Sequence, residues 1–125
     1  MLIDDNEIDN LINQKIIESC NLCEYIFTHT SAKSAIEFLR NIERVSKWSK
    51  EMLPEFIFLD IDMPLMDGFQ FLEEFARLST ETKTHCKIVM LTSSNNEADI
   101  SRAQKSNYVV KYITKPLIEE NLRAL

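Results

Sequence analysis

Four apolar residues followed by an aspartate open the segment Phe56-Ile-Phe-Leu-Asp60-Ile-Asp62-Met-Pro64-Leu-Met-Asp67-Gly68. A continuous apolar run of this length is typical of a strand buried on both faces, as in a parallel sheet. Pro64 and Gly68 then end the strand and begin a turn. Because open α/β sheets bind ligands beyond the carboxyl ends of their strands, the position of Asp60 predicts a functional acid.

Three more apolar runs end in polar residues. Met1-Leu-Ile3 precedes the acid pair Asp4-Asp5, Ile88-Val-Met-Leu91 precedes Thr92-Ser93, and the run 109–114 precedes Lys115-Pro116. Parallel strands bring their carboxyl ends to one edge of a sheet, so we expect acids, a hydroxyl and an ammonium to meet there.

Segments with helical spacing of apolar residues alternate with the strands. The predicted strands are 1–3, 24–28, 56–60, 87–91 and 109–114. The predicted buried helix faces are Ile8, Leu11, Ile12 and Ile16; Ala32, Ala35, Ile36, Leu39 and Ile42, in a helix extending to Trp48; and Phe69, Leu72, Phe75 and Ala76. Two more helices are predicted over 97–106 and 117–125, and Asn6 and Ser31 are expected helix caps.

Five strands alternating with five helices predict an α/β domain spanning 1–125. We expect a flavodoxin-like, doubly wound (βα)5 fold with a five-stranded parallel sheet in the order 2-1-3-4-5. This order brings Asp4-Asp5 beside Asp60 at the switch point between the first and third strands. The first strand has three residues and the last helix nine, so both ends look trimmed, and a downstream effector domain is not excluded.

Composition and charge argue against several classes of protein. Fourteen basic and twenty acidic residues give a net charge of −6, which opposes direct binding to nucleic acid. No apolar run approaches the ~20 residues that cross a bilayer, and Met1-Leu-Ile3 is too short for a secretory signal. We therefore expect a cytoplasmic protein with no membrane partner.

The pair Cys20-Asn-Leu-Cys23 has the spacing of half a zinc site or a redox dithiol. Cys20 falls at the end of a helical pattern, whereas a redox thiol is favoured at a helix N-terminus. The candidates for completing a zinc site are the neighbours His85 and Cys86, alongside the more isolated His29. In the predicted sheet they would lie three strand spacings from Cys23, roughly 14 Å at about 4.8 Å each. We therefore prefer reduced structural or surface thiols.

The acids Asp4, Asp5 and Asp60 would repel one another strongly in one crevice, so the site needs a counterion. Oxygen ligands favour Mg²⁺, with Mn²⁺ as an alternative. Lys115 can then neutralise a phosphoryl oxygen that the metal does not reach, and Thr92 can donate its hydroxyl to another. A carboxylate such as Asp60 can attack phosphorus to form an acyl phosphate.

The residues that end the strands resemble those of the receiver domain of two-component response regulators, the CheY-like family. The matching set is Asp4-Asp5, Asp60 with Met63-Pro64 and Asp67-Gly68, Thr92-Ser93, and Lys115-Pro116. The resemblance spans essentially the entire chain. It implies a phosphoacceptor domain that receives a phosphoryl group from a histidine kinase or a histidine phosphotransfer protein. Such a domain phosphorylates itself and slowly dephosphorylates, without turnover of a separate substrate.

The resemblance implies a role for each matching residue near the metal. Asp60 is the expected phosphoacceptor and Asp5 the direct magnesium ligand, while Asp4 acts mainly through water. The backbone carbonyl of Asp62 is a further expected ligand. The Asp62 side chain adds a carboxylate at the rim of the site, so we expect it to slow loading by anionic phosphodonors.

The same resemblance assigns the residues that respond to phosphorylation. Thr92 and Lys115 are expected to contact the phosphoryl group, and Ser93 and Ser94 to lie at the rim. Tyr112 matches an aromatic switch that turns inward when the threonine moves. The resulting surface change is expected over 97–125, which could bind a downstream effector or a second copy of the chain.

Two other functions compete with this interpretation. A pseudo-receiver that only docks partners would be marked by loss of an acid, Thr92 or Lys115, and none is lost. A haloacid-dehalogenase-like phosphatase shares the pattern Asp60-Ile-Asp62, but needs a later acidic pair on a strand, and only Glu119-Glu120 remain, in a predicted helix. A single glycine also disfavours a flavin-binding flavodoxin, which needs a glycine-rich phosphate loop.

Overall fold

The computed structural model describes residues 1–45 and 49–125, with residues 49 and 50 described by their backbone only. These residues form a five-stranded sheet in which neighbouring strands are parallel and the order is 2-1-3-4-5. The strands are β1 (Leu2–Ile3), β2 (Thr28–His29), β3 (Phe56–Leu59), β4 (Lys87–Thr92) and β5 (Val109–Thr114). The predicted flavodoxin-like, doubly wound architecture is confirmed.

Seven helices accompany these strands in the described part of the chain, two more than the apolar periodicity predicts. They are α1 (Glu7–Ser19), α2 (Ala32–Arg44), α3 (Ser49–Met52), α4 (Gly68–Phe75), α5 (Thr80–His85), α6 (Glu97–Gln104) and α7 (Glu119–Arg123). The unpredicted helices α3 and α5 are short, and α5 is entirely polar, so it has no apolar period to detect. None of the helices described over 1–45 and 49–125 is long and apolar enough to cross a membrane.

The edge strand β2 is shorter and later than the predicted strand 24–28. Its partner β1 has only two residues, so only Thr28 and His29 pair with it. Phe27 still accepts a hydrogen bond from the Leu2 backbone N–H at 2.7 Å. Helix α2 ends at Arg44, and the residue to which we expected it to extend, Trp48, lies outside the described residues.

The last two helices are also shorter than predicted. Helix α6 ends at Gln104 instead of Ser106, and α7 occupies Glu119–Arg123 instead of 117–125. Leu117 is buried in the core before the helix begins. The Asn121 side chain accepts a hydrogen bond from the Ile118 backbone N–H at 3.0 Å, which fixes the start of α7 at Glu119.

Apolar side chains cover both faces of the sheet, as expected for parallel strands. Alternate residues of β3 and β4 point to opposite faces, so Ile57 and Ile88 belong to one core and Phe58 and Val89 to the other. The larger core contains the buried apolar side chains of α2, α4 and α6, and the smaller one those of α1 and α7. The central strands are therefore packed between helices on both faces of the sheet.

The predicted inward face of α1 is wrong. Ile8, Leu11 and Ile12 are 67%, 55% and 49% exposed, and Ile16 is only partly buried. The buried residues of this helix are Asn10, Asn13 and Ile17. Asn10 faces inward because its side-chain amide donates to the backbone carbonyls of Asp4 and His29, at 3.0 and 3.2 Å. Asn6 and Ser31 cap α1 and α2 as expected.

The turn between β3 and α4 folds tightly back against the end of β3. The Gly68 backbone N–H donates to the Ile61 carbonyl at 2.9 Å, and a Cβ on Gly68 would lie 2.6 Å from the Asp60 carbonyl oxygen. Only glycine fits so close an approach. Asp67 caps α4 through a reciprocal pair of hydrogen bonds with Gln70. This turn holds the residues after Asp60 in place.

Candidate functional site

The polar residues that follow the strands meet at the carboxyl edge of the sheet. The Asp60 backbone N–H donates to the Ile3 carbonyl at 3.0 Å, which places Asp60 beside the acids that follow β1. On the other side, the Lys115 backbone N–H donates to the Thr92 carbonyl at 2.8 Å. The parallel register thus gathers Asp4, Asp60, Thr92 and Lys115 in one crevice, as predicted.

Three carboxylates lie close enough to share a cation. Asp4, Asp5 and Asp60 each offer an oxygen atom, and these oxygens lie within 4.8 Å of one another. Asp4 and Asp60 are only 4% and 6% exposed, while Asp5 is exposed to solvent. The Asn6 backbone N–H fixes the Asp4 carboxylate with a hydrogen bond of 3.0 Å. Hard oxygen ligands at this spacing suit Mg²⁺ or Mn²⁺.

Lys115 supplies the cation of the site. Its ammonium nitrogen lies 2.5 Å from Asp4 Oδ2, 2.9 Å from Asp9 Oδ2 and 3.6 Å from Asp60 Oδ2. Burial by itself lowers the pKa of Lys115, but the hydrogen bonds to Asp4 and Asp9 and the charge of Asp60 outweigh burial and raise it. Lys115 is therefore a permanent positive charge at neutral pH.

The pKa of Asp60 is raised above its ordinary value. Burial is the main cause, and the charge of Asp4 acts in the same direction. Hydrogen bonding from Thr92, the charge of Lys115 and the Ile61 backbone N–H, which donates to Asp60 Oδ1 at 2.8 Å, oppose this shift in part. The ionised carboxylate is therefore incompletely neutralised by the protein, and a bound cation would stabilise it.

A chain of hydrogen bonds runs from Thr92 to Tyr112. Thr92 is fully buried, and its hydroxyl accepts a hydrogen bond from the Ser94 backbone N–H at 3.3 Å. The Tyr112 hydroxyl donates to the Ser94 carbonyl at 2.7 Å, and its half-buried ring packs against the larger core. Burial raises the pKa of Tyr112. Tyr112 and Thr92 are thus connected through one residue, Ser94.

The residues expected at the rim surround this crevice. Asp62 and Ser93 are exposed, and Ser94 is partly exposed, with its hydroxyl donating to Asp99 at 2.7 Å. The described residues give the Asp62 backbone carbonyl no hydrogen-bond partner. The role of this carbonyl as a further oxygen ligand stays a prediction.

Sequence reasoning missed two residues next to the site, Asp9 and Asn10. An acid in the first turn of a helix ordinarily indicates only a favourable interaction with the helix dipole, so Asp9 gave no separate signal. Asn10 stood on the face that we expected to be exposed. Only the packing of α1 against the strand ends explains why these two polar side chains point toward the crevice.

The three cysteines do not form a second site. All are free thiols, and burial raises the pKa of Cys86 to about 12, which makes it unreactive. Among the residues that the structure describes, the group of possible metal ligands is the acid cluster and includes no cysteine.

Comparison with known proteins gives the family. The family model described as the response regulator receiver domain matches residues 1–125. The probable methanogenesis regulatory protein FilR2 of Methanothrix harundinacea is 28% identical over 123 residues, which are 98% of this chain and 75% of that protein. The chain spans about half the length of two further curated relatives, at 52% of each.

Solved structures agree with the fold. A two-component response regulator from Cytophaga hutchinsonii has a TM-score of 0.87 and 31% identity, over 98% of this chain and 89% of that one. The Mn²⁺-bound form of Rcp1 from Synechocystis has a TM-score of 0.73 over 97% of this chain and 83% of that one, and at 24% identity it supports the fold alone. These matches leave no support for a dehalogenase-like phosphatase. The chain belongs to the response regulator receiver family and is a receiver domain of two-component signalling.

Proposed function

We propose that Asp60 accepts a phosphoryl group from a phosphohistidine of a histidine kinase or a histidine phosphotransfer protein. An Asp60 oxygen attacks phosphorus, the phosphorus–nitrogen bond breaks, and the imidazole leaves, so that an acyl phosphate forms. The observation that carries this proposal is the buried Asp60 carboxylate, grouped with Asp4 and Asp5 within 4.8 Å and lying 3.6 Å from the Lys115 ammonium. Positioning and charge neutralisation suffice for such a transfer.

The oxygens of Asp4, Asp5 and Asp60, which lie within 4.8 Å of one another, suit a magnesium ion, with manganese as a substitute. We propose the Asp62 carbonyl as a further ligand. The solved structure of Rcp1, which shares this fold, holds Mn²⁺, the substitute ion that we propose. When bound, the ion supplies positive charge that offsets the carboxylates and a phosphoryl oxygen. We assign Asp5 as the direct ligand because its side chain is exposed, and Asp4 as a ligand through water because its oxygens already bond to Asn6 and Lys115.

Lys115 and Thr92 are the proposed contacts of the transferred phosphoryl group. Lys115 needs to move only slightly, because its nitrogen is already 3.6 Å from an Asp60 oxygen. A shift of Thr92 toward the phosphoryl group would alter the hydrogen bond from Ser94 and, through it, the contact with Tyr112. We propose that this chain carries the signal to the surface formed by residues 97–125, where an effector or a second copy binds.

The exposed apolar strip of α1, formed by Ile8, Leu11 and Ile12, is the proposed contact of the phosphodonor. Asp9 lies on the same first turns of the helix and reaches Lys115, so the strip flanks the crevice. A protein donor must bring its histidine to Asp60, and it therefore covers this rim. Leu65, fully exposed in the turn after β3, extends the apolar surface on the other side.

Acetyl phosphate with magnesium tests the proposal directly. We expect intact mass spectrometry to show one phosphoryl group on the wild type and none on Asp60→Asn. Asp62→Asn is the matched control, because it removes a neighbouring exposed carboxylate and should load faster than the wild type at low ionic strength. Stoichiometric labelling of Asp60→Asn would refute the assignment.

The metal assignment has a separate test. We expect Asp5→Ala to weaken magnesium binding more than Asp4→Ala does, as measured by titration of the amide signals. Equal affinities of the wild type and Asp5→Ala would contradict the ligand scheme.

A further inference from the structure

The Lys115 ammonium is held mainly by the side of the crevice that faces α1. An ammonium has three N–H donors. Two of them are engaged, by Asp4 at 2.5 Å and by Asp9 at 2.9 Å, while the distance to Asp60 is 3.6 Å, longer than a hydrogen bond. Lys115, which we propose to neutralise a phosphoryl group, therefore already binds two carboxylates that compete with that group.

These two competitors differ in how easily they release the lysine. The Asp4 side chain is 5% exposed and is fixed by the Asn6 backbone N–H through its other oxygen. The Asp9 side chain is 35% exposed, and among the described residues Lys115 is its hydrogen-bond partner. Water can solvate Asp9 once the ion pair opens, so Asp9 is the partner that a phosphoryl oxygen can displace.

We propose that Asp9 is a positioning residue that restrains Lys115 on the α1 side of the site and thereby limits phosphoryl loading of Asp60. The proposal rests on the proposed function of Asp60 and Lys115. A phosphoryl group on Asp60 must take the ammonium from Asp9, and this exchange costs part of the attraction that stabilises the transferred group. Removing the Asp9 charge should therefore strengthen the contact of Lys115 with the phosphoryl group.

The main test compares Asp9→Asn with the wild type. With acetyl phosphate and magnesium, we expect about fivefold faster loading, equivalent to about 1 kcal/mol in transition-state free energy. The affinity for the phosphoryl mimic beryllofluoride with magnesium should rise by a similar factor. Asp9→Glu should stay near the wild type because it retains the carboxylate, and Asp9→Ala repeats the test without an amide oxygen.

Two controls separate this role from a general effect of charge or structure. Glu7→Gln removes an acid from the first turn of the same helix without touching Lys115, and loading should change less than twofold. The Lys115→Met background should abolish the gain from Asp9→Asn, because only an effect transmitted through Lys115 disappears when Lys115 is absent.

The outcomes distinguish this inference from the proposed function. A wild type that does not load at all would overturn both. A wild type that loads on Asp60, together with an unchanged rate in Asp9→Asn, would overturn only the role of Asp9. The same fivefold gain in the Lys115→Met background would also overturn it, since the effect would then come from charge alone.

Discussion

Helices α1 and α2 each have 13 residues and lie against the sheet, but they bury different kinds of side chain. Helix α2 buries an apolar stripe that includes Ala35 and Leu39. Helix α1 buries Asn10 and Asn13 instead and exposes most of its apolar residues. The α2 stripe stabilises the fold, whereas the exposed side chains of α1 lie beside the site, where the proposed phosphodonor must dock. In this proposal, the exposed face of α1 serves function, while the buried face of α2 serves stability.

The largest expected effect tests this division through stability. Leu39→Ala should lower the free energy of unfolding by about 2–5 kcal/mol, because Leu39 is fully buried in the larger core. The matched change Leu11→Ala, on α1, should cost less than about 0.5 kcal/mol. Urea unfolding measures both variants. A loss of several kcal/mol in Leu11→Ala would show that the α1 strip packs in the fold and is not a free surface.

The second expected effect concerns Asn10, the polar residue of α1 that faces the sheet where we expected the apolar face of this helix. Asn10→Ala should destabilise the protein by about 1–3 kcal/mol, because the buried Asp4 carbonyl loses its donor from Asn10. Lys15→Ala, on the exposed side of the same helix, controls for helix propensity and should change stability by less than about 0.5 kcal/mol. An Asn10→Ala variant as stable as the wild type would leave the orientation of α1 without an explanation.

The two helices also show what sequence reasoning can reach. The apolar stripe of α2 has one consistent helical period, and the runs of β3 and β4 are continuously apolar, so the burial of these elements was predictable. In α1, Ile8, Leu11 and Ile12 have an equally good helical period, but the strand-end carbonyls of Asp4 and His29 require the Asn10 amide. Periodicity shows that a helix has an apolar side, and it does not show which side meets the sheet.

The candidate site was predicted more completely than the helices around it. Asp60, Thr92 and Lys115 each end or follow an apolar strand, so the topology alone brings them together. The contact between Asp9 and Lys115 was not predictable, because it joins residues 106 positions apart through the angle at which α1 packs. Helix α5 was missed because a fully polar segment has no period.

The third prediction concerns the stability that the protein loses by burying the Asp60 carboxylate. The pKa of Asp60 is raised in the folded protein. As the pH rises, the unfolded chain therefore loses the Asp60 proton before the folded protein does, and stability falls until the pH has passed the folded-state pKa. At pH 7, Asp60→Asn should therefore increase the free energy of unfolding, by about 0.5–2 kcal/mol. Thermal unfolding at that pH measures the change, with Asp62→Asn as the exposed control. An equally stable or less stable Asp60→Asn would contradict the electrostatic account.

The smallest expected effect lies at His29 of β2, which forms hydrogen bonds to both helices. The His29 carbonyl accepts the amide of Asn10 on α1, and its ring nitrogen Nδ1 lies 2.9 Å from the Ser34 hydroxyl on α2. Burial lowers the pKa of His29 below its ordinary value of 6.5, so the folded state favours the neutral ring. As the pH falls through 6.5, the unfolded chain binds a proton that the folded protein does not, and stability decreases.

Two histidine variants, each compared with the wild type, measure this loss of stability. His29→Gln should reduce the decrease in unfolding free energy between pH 7.5 and 5.5, a window chosen about the ordinary pKa of histidine. His85→Gln, which removes the chain's other histidine at an exposed position on α5, is the matched control. Because both variants keep Asp60, its opposite contribution cancels when each is compared with the wild type. An unchanged pH dependence in His29→Gln would mean that the folded protein accepts a proton on His29 as readily as the unfolded chain, and that the contact with Ser34 does not depend on a neutral ring.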